Sequence, residues 1–186
     1  MTKLYKKLND TWYYWETWVN EDVQTKIVVH WGIVGEWGER QELEKITIDE
    51  AELEMEQQIE QKKQQGYEEI SSWLPMILQF HTDDSWGDVD DLDFRNQMWD
   101  HLNGMLGWSG NGRVTGGDIG SGTINLFFVA IDAEKAASTI VSGMELLEFN
   151  KSFIVVLEGG PLDQKVNASF ATRVIYPQGH NKEFFY

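Results

Sequence analysis

The residues whose types and spacing could do chemistry are few. His81, Asp83, Asp84 and Asp88 fall in one short stretch. An imidazole among carboxylates is a donor set for a divalent cation, with His81, Asp83 and Asp84 as the ligands. The same acids suit the start of a helix, where they cap backbone N–H groups and meet the positive end of the dipole. Gly110, Gly112, Gly116, Gly117, Gly120 and Gly122 resemble a phosphate loop only in composition. They precede a strand instead of joining a strand to a helix, and no Lys-Ser/Thr follows, so they read as a hairpin or bulged connection. The chain has no cysteine. That excludes disulfides, thiolate metal sites, iron–sulfur clusters and thiol nucleophiles. No G-x-S-x-G occurs, and His30, His81, His101 and His180 stand in unrelated contexts. No catalytic residue is assigned, no cofactor is implied, and the expectation is a protein that is not an enzyme.

What remains is binding chemistry. Nine Trp and a 13% aromatic share are high for 186 residues. Trp15, Trp31 and Trp37, with Arg40 beside them, are the candidate binding residues. Trp31 and Trp37 read either as core and hairpin packing or as an exposed platform for a partner. The formal net charge is −16, and the excess of acid is shared equally by the two halves of the chain. Such a surface repels nucleic-acid backbones and anionic membranes, and it favours solubility or a basic partner. The N-terminal residues lack the apolar segment of a secretory signal, and no run is long enough to span a membrane, so a cytoplasmic location is expected.

The elements that must position these residues fall into two domains, 1–72 and 73–186. Strands are predicted over 11–19, 25–34 and 40–46, with a turn at Asn20-Glu21-Asp22 and another at Glu36-Trp37 between Gly35 and Gly38. A helix follows, capped by Thr47 with Glu50 reaching back, striped by Ile48, Ala51, Met55 and Ile59, and stopped at Gly66. The second half reads β-α-β-β-α-β. It has a strand at 76–80 and a helix from Asp88 or Asp90 to Leu106, with Leu92, Trp99, Leu102 and Leu106 on one face and Gly107 as its end. A weak strand around Arg113-Val114 precedes a central strand over 123–131. Asp132 caps a helix striped by Ala133, Ala137, Ile140, Met144 and Leu147. A strand at 153–157 and an edge strand alternating from Val166 to Tyr176 complete the pattern. The fold class is α+β, a small antiparallel sheet with a helix followed by a ferredoxin-like α+β sandwich with one extra strand.

Residues 12–67 resemble a WGR domain. The resemblance lies in Tyr14-Trp15-Glu16, in Trp31-Gly32-Ile33-Val34-Gly35-Glu36-Trp37-Gly38, in Ala51, and in Lys63 with Gly66-Tyr67. It implies a twisted antiparallel sheet with one packed helix. In poly(ADP-ribose) polymerases this module helps bind DNA ends, and bacteria carry it in small regulatory proteins. By resemblance, Trp31 stands where the family Trp stacks near a DNA terminus, and Ile33 stands where the family has Arg. Isoleucine offers neither charge nor forked donors to phosphate. Arg40 and His30 are the nearby residues that could take over, and Glu36, Glu39, Glu42 and Glu44 make the surroundings more negative. The second half is similar to small uncharacterised bacterial α+β domains through Gly120–Phe127 with Asp132. These features point to a non-catalytic adaptor that binds a protein partner of basic character. An immunity-type inhibitor of a basic nuclease, and a weak nucleic-acid end binder, are the alternatives.

Overall fold

The computed structural model describes residues 1–82, 87–149, 152–157 and 173–178. The chain divides into two compact units, Met1–Ser71 and Ser72–Tyr186.

The N-terminal unit is an antiparallel meander of β1 (Thr2–Leu8), β2 (Thr11–Val19), β3 (Lys26–Ile33) and β4 (Glu39–Glu44), followed by helix α1 (Ile48–Gln64). Strand β1 was not foreseen from the sequence. It pairs with β2 along its whole length, and Leu8 opposite Thr11 leaves a two-residue loop, Asn9-Asp10. Both loop residues have positive φ, 48° and 64°, as a type I′ hairpin turn requires and Asn and Asp tolerate. Thr47 accepts a hydrogen bond from the Glu50 N–H at 3.2 Å. The Glu50 carboxylate reaches back one residue beyond the cap, accepting from Ile46 N–H at 3.1 Å. Gly66, at φ 85°, ends α1 with the paired bonds Tyr67 N–H to Lys62 C=O and Gly66 N–H to Lys63 C=O. Ala51, Met55 and Ile59 pack on Leu4, Trp15, Ile27 and Val29. Ile48, in the first turn, does not join them and is 44% exposed.

The C-terminal unit runs β5 (Leu74–His81), α2 (Val89–Trp108), β6 (Gly112–Gly120), β7 (Thr123–Ala130), α3 (Ala133–Leu146), β8 (Phe153–Leu157) and β9 (Arg173–Tyr176). The strand order is β6-β7-β5-β8-β9, and each neighbouring pair is antiparallel. The element order is the β-α-β-β-α-β expected, with β9 as an added edge strand, and the unit is an α+β fold. Both helices pack on one face of the sheet, over Met76, Leu78, Phe80, Ile124, Leu126, Phe128 and Val155. Asp88 caps α2 in a reciprocal box with Asp91, and Asp132 caps α3. Helix α2 runs through Gly107 and stops at Gly110, whose φ of 64° provides the turn. Its core face carries Met98, Leu102, Met105 and Leu106, with Phe94 and Trp99 beside them, whereas Leu92 is exposed. Leu147 likewise lies past the end of α3 and is exposed. Of the alternating stretch from Val166 to Tyr176, Val166 to Thr172 fall outside the described residues.

The glycine-rich stretch is the β6–β7 hairpin. Ser121-Gly122, with φ of 53° and 78°, forms its two-residue turn, and a bulge lies between Val114 and Gly116. Asn111, fully buried, ties the start of β6 to the start of α3. Its side chain donates to Asp132 C=O at 2.9 Å and accepts from Asp132 N–H at 2.9 Å and Ile131 N–H at 3.2 Å. Asn111→Ala removes the partner of these part-buried groups. It is expected to destabilise the C-terminal unit by about 2 kcal/mol, seen as a lower urea midpoint with an unchanged slope.

Candidate interaction surface of the N-terminal unit

The β3–β4 connection carries the residues that the sequence singled out, and Tyr14 sets its shape. A β-carbon at Gly38 would strike the Tyr14 hydroxyl and the Trp31 carbonyl. One at Gly32 would come within 2.9 Å of Gly38 Cα and 3.1 Å of the Tyr14 ring. Gly35, at φ 89°, makes the reversal, and Val34 N–H ties the turn back to Trp12 C=O at 2.9 Å. Gly32 and Gly38 are thus required by close approach of backbone and of the Tyr14 ring, and Gly35 by its positive φ. With the backbone held this way, Trp37 projects from the tip and is 69% exposed, between Glu36 and Glu39, which are exposed too.

Tyr14 is fixed from below by a chain of polar groups on the sheet face opposite α1. Its hydroxyl lies 3.0 Å from His30 Nε2, and His30 Nδ1 is 2.7 Å from Glu16 Oε1. Glu16 Oε2 is 3.0 Å from Lys3 Nζ. Tyr14, Glu16 and His30 are all buried. A buried carboxylate is costly unless it is paired, and Lys3 and His30 supply partners on both oxygens. Burial, chiefly, drives the Tyr14 hydroxyl pKa well above the ordinary tyrosine value, against a lowering by the Gly38 backbone; Glu16 and Glu36 raise it further.

Of the four candidate binding residues, the structure leaves one free to act as a platform. Trp15 is 2% exposed and belongs to the core, beneath the Lys62 ammonium, so it cannot be a contact residue. Trp31 is half-buried and packs on the same core. Arg40 is exposed, but its guanidinium is held by Glu42 at 2.6 Å. Its register opposite His30 puts it on the far sheet face from Trp31 and Ile33, and the His30 ring is buried against Tyr14 and Glu16. Among candidate metal ligands, His81 ends β5 exposed, while Asp83 and Asp84 lie outside the described residues. Among the described residues, no three His, Asp or Glu side chains gather as a metal site would require. The sequence reading missed Lys6 and Lys62. Both sit near the ring of Tyr67, with Nζ at 5.8 Å and 5.3 Å from its centroid.

Residues 5–72 match the family model described as the WGR domain, a span that takes in nearly the whole N-terminal unit. No curated protein and no solved structure matches the chain. None of the described helices is long and apolar enough to cross a membrane.

Gly38→Ala is expected to cost about 1–3 kcal/mol of N-terminal-unit stability, measured by chemical denaturation. The Tyr14 shift has a definite sign. The folded state keeps its proton where the unfolded chain loses it, so the contribution is full below about pH 10 and declines above it. Alkaline titration followed by circular dichroism should show this loss, and Tyr14→Phe should make the curve shallower above that pH.

Proposed function

Starting from residues 5–72 as a WGR domain, a module of nucleic-acid or protein binding, we propose that this is a non-catalytic binding protein. It engages a protein partner through the Trp37 turn. The observation that carries the reading is the 69% exposure of a tryptophan on a turn whose glycines are locked over Tyr14. An exposed indole on a floppy loop would lose much of its binding energy to ordering. On a preformed turn it keeps most of it, and tryptophan is the commonest kind of interface anchor.

The surroundings define the partner's chemistry. Glu36 and Glu39 flank Trp37, and the protein as a whole carries −16. A matching surface has an apolar pocket for the indole, rimmed by Lys and Arg, and charge speeds its association. Duplex ends fit this turn poorly. Position 33 is Ile, Arg40 is spent on Glu42, and the flanking carboxylates repel phosphate. A basic nuclease held by an immunity-type inhibitor is one partner that would satisfy the same chemistry.

Affinity capture from the native cytosol, followed by titration with the purified partner, tests the reading. Trp37→Ala is expected to weaken binding by roughly 30-fold or more, about 2 kcal/mol, with the melting temperature unchanged. Binding that survives the substitution would refute the proposal. So would retention on duplex oligonucleotide at low salt that disappears with Trp37.

A further inference from the structure

Strand β4 is an edge of the N-terminal sheet, and among the described residues no strand pairs with its outer side. Lys45 N–H bonds Thr25 C=O at 2.9 Å, so alternation along the ladder turns the backbone groups of Leu43, Gln41 and Glu39 toward β3. Those of Arg40, Glu42 and Glu44 therefore point outward. Ile46 is next in that outward series. Its N–H is taken by the Glu50 carboxylate at 3.1 Å, which sets one end of the open edge. Along β4 itself only Leu43 is partly covered, and the other residues are exposed.

Where β4 passes into α1, the edge opens into a groove of about 370 Å³. It is lined by Lys45 and Glu54, bonded to each other at 2.8 Å, by Glu44 and Glu50, and by Ile46 and Leu53. The last two are apolar yet 88% and 55% exposed. Residues 39–60 carry nine Asp and Glu against Arg40 and Lys45. Both cations are already engaged, Arg40 by Glu42 and Lys45 by Glu54. Acid therefore predominates along the whole edge. Charges on an edge strand ordinarily block pairing. Here they are mostly of one sign. They block a second copy of this chain, whose β4 would set carboxylate against carboxylate, and they admit a strand of opposite charge.

We propose that the outer edge of β4 docks an extended basic segment of a protein partner, which adds to the sheet as a further strand. Main-chain bonds to Arg40, Glu42 and Glu44 supply the pairing, and the segment's side chains alternate between the two faces. Leu43 packs into the core under α1 and Lys45 reaches Glu54 of α1, so both lie on the helix side of the sheet. Beside them, an apolar side chain of the segment seats against Ile46 and Leu53. On the other side, Lys or Arg stand next to Glu42 and Glu44. The segment thus alternates apolar and basic residues. The site shares no residue with the Trp37 turn and stands or falls independently of it.

Proton–nitrogen correlation spectra of the full chain, titrated at constant ionic strength with a short synthetic peptide of alternating lysine and valine, provide the test. The Arg40, Glu42 and Glu44 amides are expected to shift saturably and to exchange with solvent more slowly once bonded. Ile46→Ser and Leu53→Gln, both at exposed positions, should each weaken binding about tenfold. Glu44→Gln should weaken it about threefold, the size of one exposed ion pair. The rest of each variant's spectrum reports that the fold is kept. Trp37→Ala should leave the affinity unchanged. A peptide N-methylated at alternate residues cannot pair with a strand edge, and one with glutamate for lysine meets like charge, so neither should bind. The site is overturned by the absence of a saturable shift along β4, or by binding indifferent to both groove substitutions. Equal binding of the N-methylated peptide would overturn it as ordinary charge attraction, and loss with Trp37→Ala would move the peptide to the turn. Protection of these amides that grows with protein concentration alone would make a second copy the occupant instead.

Discussion

The phenol of Tyr14 fills the volume that a side chain at position 38 would need, and it crowds position 32 from the same side. Much of the N-terminal unit follows from that occupancy. Two strands and a turn must approach one ring closely, so the motif requires glycine where it has glycine. The ring itself must be held, and the chain through His30, Glu16 and Lys3 holds it. Each of those groups is buried or partly so, and each is satisfied by the next. A network of that kind favours one arrangement strongly, since losing any member strands the others. The consequence at the surface is a tryptophan on a turn that is already in its final shape.

Much of this was legible in the sequence. The Trp-Gly run with spaced glycines marked the turn, because glycine at such density signals close backbone approach as well as reversal. The caps Thr47, Asp88 and Asp132 marked the helix starts, since each offers a side-chain oxygen to an orphan N–H. The β-α-β-β-α-β order of the second half followed from apolar runs flanked by caps and turns. Three features were hidden. Strand β1 looks like a charged, solvated segment, because Lys3, Lys6 and Lys7 mask the buried Leu4 and Tyr5; the Asn9-Asp10 pair was its one local signal. The true end of α2 was hidden because Gly107 and Gly110 are equally glycine, and only the dihedral separates them. The burial of Trp15 was hidden because an aromatic strand with large residues at every position does not declare which face is core.

Charge shows the same gap between chain and fold. Summed along the sequence, the N-terminal unit is uniformly acidic. Folded, six of its eight cations lie within ion-pair distance of a carboxylate, and the other two, Lys6 and Lys62, both lie near the Tyr67 ring. Lys6, Tyr13 and Ile33 form one row across three strands, so Lys6 sits two strands from Ile33 on the α1 side of the sheet. No count of residues could have placed it there.

The central claim is that the Trp37 turn is preformed, held by Tyr14 and its buried chain. Backbone nitrogen relaxation of the free protein measures this directly. The account predicts order parameters of about 0.85 across residues 35–38, equal to those of the flanking strands. Values below about 0.6 at those residues, with the strands themselves rigid, would mean that the turn is mobile and that Tyr14 does not fix it.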